Sequence, residues 1–231
     1  MVNGFRPNGA APESNRPSRG LHDRTGFEDQ LGHRAHAAPP ANLARLRLAG
    51  VHGVIFQSFR DYLVAEHGRD VVQTVFAGDP EYLLSEAYPD AALIRLIGAA
   101  AAAAERDVDE IVYGLGVYTA ETTFSRLYPA FFDQTPTPRA FLLTVEEHIH
   151  ELIRATIPRA GPPRLAIAPL GEAGVRIQYS SPRRLCVLLR GLTEGTARHY
   201  GQRAELDEPE CMLRGDVACS FDVTFSAAAT P

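Results

Sequence analysis

Lysine is absent from this sequence, so all 23 basic residues are arginine, which together with abundant alanine points to a GC-rich coding sequence more than to a function. A surplus of positive charge is missing as well. The net charge is −5, and it is unevenly placed: seven Arg stand against four acids up to residue 50, sixteen against twenty-four after it, leaving the body at −8. Nucleic-acid binding needs a basic footprint for phosphate, so that class of partner is excluded. Long apolar runs are also lacking. The most apolar stretch, residues 91–104, interrupts itself with Arg95 and falls short of the roughly 20 residues that cross a bilayer. The first fifty residues hold no apolar segment of signal-peptide length. A cytoplasmic protein with no membrane segment is the expectation.

Three catalytic signatures are absent too. Gly114-Leu115-Gly116 has no preceding strand and no third glycine at the spacing of a dinucleotide loop. His148 and His150 lie among Glu146, Glu147 and Glu151 without forming H-E-x-x-H, and no serine occupies a G-x-S-x-G elbow. Metal-dependent hydrolysis and acyl transfer therefore have no support, and the chain reads as a non-enzyme. The three glutamates read most simply as the solvated face of a helix.

What is present divides into two patterns. Helical spacing covers about 52–66, 70–77, 90–104, 107–121 and 138–156, with Asp90 and Asp107 placed as helix caps. The second half alternates at 164–170 and 174–179, returns to helical spacing at 183–200 and alternates again at 220–225. Helices followed by a small antiparallel sheet make an α+β fold. Residues 1–50, with Pro7, Pro12, Pro17, Pro39 and Pro40 and little periodicity, read as a flexible N-terminal extension, 51–226 as the folded domain and 227–231 as a C-terminal tail.

Within the folded part, Tyr179, Ser181 and Arg183 alternate. On a strand, residues two apart share a face, so three donors can reach one acidic ligand. Arginine's planar fork suits a carboxylate, and the hydroxyls can complete its shell. Upstream, the segment between Pro138 and Pro158 is an amphipathic helix with apolar residues at 142, 145, 149, 152 and 153. It carries two histidines, His148 and His150, and periodicity alone does not choose which of them faces an apolar pocket.

His150, Pro158 eight residues on, the turn Gly161-Pro162-Pro163-Arg164-Leu165 and the run Tyr179-Ser180-Ser181-Pro182-Arg183-Arg184-Leu185-Cys186 together resemble the haem-nitric oxide/oxygen binding (H-NOX) family. The resemblance extends over roughly 51–226, from Val51-His52-Gly53-Val54-Ile55-Phe56 to Cys219. It implies ferrous haem b between a helical lobe and a sheet lobe, with His150 as proximal iron ligand, Tyr179, Ser181 and Arg183 on the propionates, and Pro163 pressing on the porphyrin. Oxygen-binding members place a distal tyrosine five residues after the clamp arginine; that position is Leu188 here. Phe59 and Thr119 occupy two positions that support such a tyrosine. The resemblance thus implies an apolar distal wall including Ile55, Phe59 and Leu188, binding of NO and CO without O2, and signalling by loss of the His150–iron bond. Tyr113 and Tyr118, on the helical lobe, are the alternative distal donors. The implied partner is a histidine kinase or a cyclic-di-GMP enzyme (diguanylate cyclase or phosphodiesterase).

Cys186, Cys211 and Cys219 form a second candidate site. In a cytosolic protein such cysteines more often bind metal, react or lie buried than pair as disulfides. Some H-NOX members hold zinc on three cysteines at these positions plus a histidine; the matching residue is Glu208, so a Cys3Glu zinc set is implied in altered form. Two other readings remain: a haem-free thiol or zinc sensor on the same fold, and a haem enzyme using an open distal site. Retention of His150 and the whole clamp argues against the first, and an apolar distal face against the second.

Overall fold

A computed structural model describes residues 50–228. The expected N-terminal extension, apart from Gly50, and the last three residues of the expected C-terminal tail lie outside the described residues. The order is β1 (Val51–His52), α1 (Gly53–His67), α2 (Arg69–Val75), β2 (Ala87–Tyr88), α3 (Asp90–Ala104) and α4 (Val108–Tyr118). A π-helical turn, Thr119–Phe124, carries α4 on to Ser125–Leu127. Then come α5 (Pro129–Asp133) and α6 (Pro138–Thr144), the latter continued by a second π-helical turn, Val145–His150, and by Glu151–Thr156. The last third is β3 (Arg164–Leu170), β4 (Gly174–Ser180), α7 (Cys186–His199), β5 (Gln202–Glu210) and β6 (Cys219–Ala227).

The four long strands form one antiparallel sheet in the order β3-β4-β6-β5. Alternation in β4 is strict: Val175, Ile177 and Tyr179 are buried while Arg176, Gln178 and Ser180 face outward. Phe221 and Val223 of β6 share the inner face and, with Phe132 and Phe141, make the sheet-side core. Full burial of each such side chain contributes about 1.5–3 kcal/mol. A second core, built on Phe56, Phe59, Leu63, Leu96 and Leu115, unites α1 to α4. One apolar cleft takes wall residues from both cores, Val51 and Leu93 from the first and Phe132, Phe141 and Ile177 from the second.

Three glycines bring α4 and α7 into backbone contact. A Cβ on Gly191 would meet the Tyr113 carbonyl oxygen, one on Gly195 the Val117 carbonyl, and one on Gly116 the Leu188 carbonyl, all well inside van der Waals distance. Gly116, excluded above from phosphate binding, is there to let α7 approach. The approach sets Leu188, Leu192 and Thr193 on the cleft wall.

Several expectations need correction. Helix α7 begins at Cys186 rather than 183, because Arg184 takes a left-handed conformation (φ 51°) in the preceding turn. Asp107 holds an N-cap position without a side-chain capping bond. Asp90 is the first helical residue, and its carboxylate accepts from Arg183 instead. Leu152, counted on the apolar face, is 48% exposed. The edge strand β5, the short α5 and the β1–β2 pair were not foreseen. By contrast, Thr137 caps α6 through the Ala140 N–H at 3.1 Å with Pro138 in the first turn, and the helix stops at Ile157, before Pro158, as the two prolines require.

Candidate haem cleft and cysteine cluster

Between the two cores the cleft is lined almost wholly by hydrocarbon. Its walls include Ile55 from α1, Phe124 from the first π-turn, Val145 and Ile149 from the second, and Leu188 and Leu192 from α7. π-turns recur at functional sites because the extra residue redirects neighbouring side chains. Here both face the same cleft.

His150 closes the second π-turn and lines the cleft, with its side chain only 14% exposed. His148, two residues before it, is exposed. The structure thus separates two residues that periodicity left equivalent. Nδ1 of His150 lies 2.9 Å from Oε2 of Glu146. An ionised carboxylate only accepts, so Nδ1 carries the proton and Nε2 keeps its lone pair. Burial lowers the histidine's pKa, outweighing the opposite pull of the Glu146 hydrogen bond and charge, and the imidazole is neutral near pH 7. Burial works to raise Glu146, but hydrogen bonds from His150 and Arg154 prevail and hold its carboxyl below the usual range.

Glu146 is therefore not part of a solvated face, whereas Glu147 and Glu151 are exposed as expected. Its Oε1 accepts from Arg154 Nη2 at 2.7 Å and its Oε2 from the Leu165 N–H at 3.2 Å. Arg154 also donates to the Pro163 carbonyl at 3.1 Å. A signal for this lay in the sequence, since Glu146, His150 and Arg154 are spaced at i, i+4 and i+8.

Tyr179, Ser181 and Arg183 all line the same cleft, at the end of β4 and in the turn after it. Tyr179 Oη accepts the Leu185 N–H at 3.1 Å and Ser181 Oγ accepts the Arg183 N–H at 3.3 Å, so each hydroxyl keeps its own proton to donate. Burial raises the Tyr179 pKa and keeps it a phenol. Arg183 uses Nε on Asp90 Oδ1 at 2.7 Å and Nη1 on the Gly161 carbonyl at 2.5 Å. Those contacts fix the guanidinium while three of its five N–H donors remain for another acceptor. Buried neutral imidazole and an anchored three-donor clamp on one apolar cleft are what an iron porphyrin with two acid side chains requires. The donor set fits the group.

Pro163, Ile55 and Leu188 line the cleft as well. Phe59 does not: it is fully buried in the helical core, its ring 6.1 Å from that of Phe76. Thr119 is likewise buried away from the cleft, where Ser58 Oγ bridges Thr119 Oγ1 at 2.7 Å and Thr123 Oγ1 at 2.9 Å. Tyr113 and Tyr118 border a separate polar groove with Glu66, His67 and Arg106. Three hydroxyl side chains besides the clamp do line the cleft. Thr193 and Thr196 donate to helix carbonyls at 2.9 and 2.8 Å, while Tyr128 is half-buried and was not foreseen.

The second site gathers as its residues suggested. Ligand atoms of Cys186, Glu208, Cys211 and Cys219 all lie within 4.8 Å of one another. Cys186 and Cys211 sulfurs are 3.7 Å apart, Cys211 and Cys219 sulfurs 3.9 Å. A disulfide needs about 2.05 Å. Zinc bound at about 2.3 Å to each sulfur of a tetrahedron separates them by roughly 3.8 Å. Burial pushes the Cys186 thiol up to about 12 and moves Cys219 in the same direction. Glu208 Oε1 is buried with no hydrogen-bond partner, while Oε2 lies 3.5 Å from Arg214 and 3.8 Å from Arg190.

The haem-NO-binding family model matches residues 52–208. Among solved structures, an H-NOX protein from S. oneidensis in the Fe(II)NO state is 22% identical, with a TM-score of 0.70 over 76% of this chain and 99% of that one. An Fe(II) unliganded H-NOX protein from K. algicida is 19% identical, with a TM-score of 0.67 over 78% of this chain and 100% of that one. An oxygen-binding H-NOX domain related to soluble guanylate cyclases, solved as its oxygen complex, is 22% identical, with a TM-score of 0.68 over 78% and 98%. No curated protein matches the chain. Structures holding NO and O2 resemble it about equally, so backbone likeness does not choose a gas.

Proposed function

Because the chain belongs to the haem-NO-binding (H-NOX) family, we propose that it is a haem-based gas sensor that takes NO and CO at ferrous haem b and excludes O2. The observation that carries the reading is the convergence of His150 and the Tyr179-Ser181-Arg183 clamp on one apolar cleft. His150 would hold the iron through Nε2, and the clamp the propionates. Ferrous haem supplies the iron that takes the gas. The chain supplies a neutral donor, a water-poor wall and a route for displacement.

Exclusion of O2 rests on Leu188. Bound O2 builds negative charge on its outer atom and gains from a donor, whereas NO and CO bind ferrous haem without one. Leu188 offers none. Binding of NO would release His150 from the iron, and because Glu146 and Arg154 tie its helix to Leu165 and Pro163, displacement of the histidine reaches β3. The output is a population shift read by a partner, which we place as a histidine kinase or a cyclic-di-GMP enzyme; the domain itself performs no catalysis. Among the described residues no helix is long and apolar enough to cross a membrane.

The test is the absorption spectrum of haem-loaded protein, reduced anaerobically and exposed separately to NO, CO and air. Shifts with NO and CO and no stable oxygenated form in air are expected. A stable oxygenated form would defeat O2 exclusion, and Tyr128→Phe would then show whether Tyr128 supplies the donor.

A second reading concerns zinc, supported by the tetrahedral sulfur spacing and the orphaned Glu208 oxygen. Three thiolates, a carboxylate and Zn2+ sum to −2, and Arg190 and Arg214 beside Glu208 offset that charge. Purified protein is expected to contain one zinc, and stripping it with a chelator to lower the melting temperature. One iron with no zinc and three free thiols would reject this site. Protein that held zinc and no haem would instead favour the haem-free thiol or zinc sensor.

A further inference from the structure

The contact between His150 and Glu146 joins a buried imidazole on the cleft to a carboxylate that is itself mostly shielded from water. A carboxylate is rarely left with so little water unless its charge is answered, and here four groups answer it. His150 Nδ1 and the Leu165 N–H meet Oε2, Arg154 Nη2 meets Oε1, and Arg164 approaches Oε1 at 3.9 Å. Arg164 is three-quarters exposed, so water screens its share. Arg154 is only 20% exposed, and its second donor contact, to the Pro163 carbonyl, fixes it in place. Glu146 is thus held from two sides, its own helix and the first strand of the sheet, and Arg154 adds a tie to the loop that carries Pro163.

We propose that Glu146 is a positioning residue that orients His150 and strengthens it as an iron donor. The inference rests on the haem reading above. A histidine that donates its second N–H to an ionised carboxylate presents a more basic nitrogen to the metal and loses rotational freedom about its ring. Neither effect needs Glu146 to touch the iron. Such a donor would resist release from the iron when NO binds, so Glu146 raises the threshold at which His150 would leave. Arg154 acts in the opposite sense: by sharing the carboxylate's charge it moderates the pull on Nδ1. The pair sets how firmly the sensor holds its ligand, and it connects the histidine's helix to the rest of the fold, Glu146 to Leu165 and Arg154 to Pro163.

The experiment is resonance Raman spectroscopy of the ferrous haem-loaded full chain, reading the iron–histidine stretching band, in wild type, Glu146→Gln and Arg154→Met. Glutamine keeps a neutral acceptor of the same shape and removes the charge. The band is expected at lower frequency in Glu146→Gln and at higher frequency in Arg154→Met. In the NO complex, the share of molecules that keep His150 bound is expected to fall in Glu146→Gln by about tenfold, the lower end of what outer-shell partners typically contribute. A merely structural role would move both variants the same way or not at all. An unchanged band in Glu146→Gln with haem intact would overturn the proposal. If that variant does not fold, Arg154→Met carries the test, and an unchanged or lower band there overturns it. A wild-type protein that binds haem with no iron–histidine band overturns the haem assignment of His150 itself, and this inference with it.

Discussion

Replacing His150 by glycine is expected to abolish the iron–histidine band and most haem retention, and imidazole supplied in solution is expected to restore both. The cleft offers the reason. His150 is the one imidazole on the second π-turn that is both shielded from water and aimed at the cleft wall, with Nε2 left as the acceptor by the proton on Nδ1. Its removal opens a void of imidazole shape beside Val145 and Ile149, which a free imidazole can fill while meeting Glu146 in the same way. His148→Gly serves as the control, because that side chain is exposed and its loss should leave the spectrum unchanged. The reverse outcome, with haem lost from His148→Gly and unaffected in His150→Gly, would transfer the ligand role to the other histidine. His52 also lines the cleft, but its Nε2 donates to the Leu84 carbonyl and burial lowers its pKa, so it keeps only Nδ1 for any ligand.

Legibility of the site followed the range of the interactions that make it. Tyr179 was readable because period-two alternation is local and β4 obeys it from Val175 on, whereas Ser181 and Arg183, expected on the same strand, lie in the turn after it and reach the cleft from there. The boundaries of the helical run over 138–156 were readable because Pro138 and Pro158 act within a turn of themselves, while the cap that Thr137 provides was not read. Glu146 was misread because a continuous 3.6-residue period was assumed across 138–156, whereas the π-turn at Val145–His150 rotates the face that meets the cleft and puts Leu152 outside. Strand β5 escaped for another reason. Five of its nine residues are charged, Pro209 interrupts it, and its register shifts between Asp207 and Glu210, so only its pairing with β6 identifies it as a strand. The same strand turns Ala204, Leu206 and Glu208 towards the half-buried side, which is how an acid with no local apolar context comes to sit among three cysteines. Asp90 illustrates tertiary override: a residue with cap chemistry spends its carboxylate on Arg183, ninety-three positions away.

Leu188→Tyr is expected to convert the protein from one that keeps no oxygenated form in air to one that does. Leu188 lines the cleft on the face of α7 that Gly191 and Gly195 press against α4, so the backbone holding a new side chain there is fixed. The wild-type wall around it is hydrocarbon, with Thr193 and Thr196 already donating to carbonyls of their own helix. A phenol placed there meets the Thr193, Thr196 and Tyr128 oxygens only as neutral acceptors, whereas bound O2 carries negative charge and is the stronger acceptor for its proton. A hydrogen bond to a charged acceptor contributes about 1.5–3 kcal/mol, which corresponds to roughly ten- to a hundredfold in affinity. NO and CO gain less, since neither builds comparable charge on its outer atom, so the ratio of O2 to CO affinity should rise by nearly the same factor. Gas titrations of the ferrous protein read that ratio directly. An unchanged ratio, with the tyrosine present and the haem intact, would mean that Leu188 does not face the gas, and the selectivity assigned to it would then have to come from another wall residue, Tyr128 first.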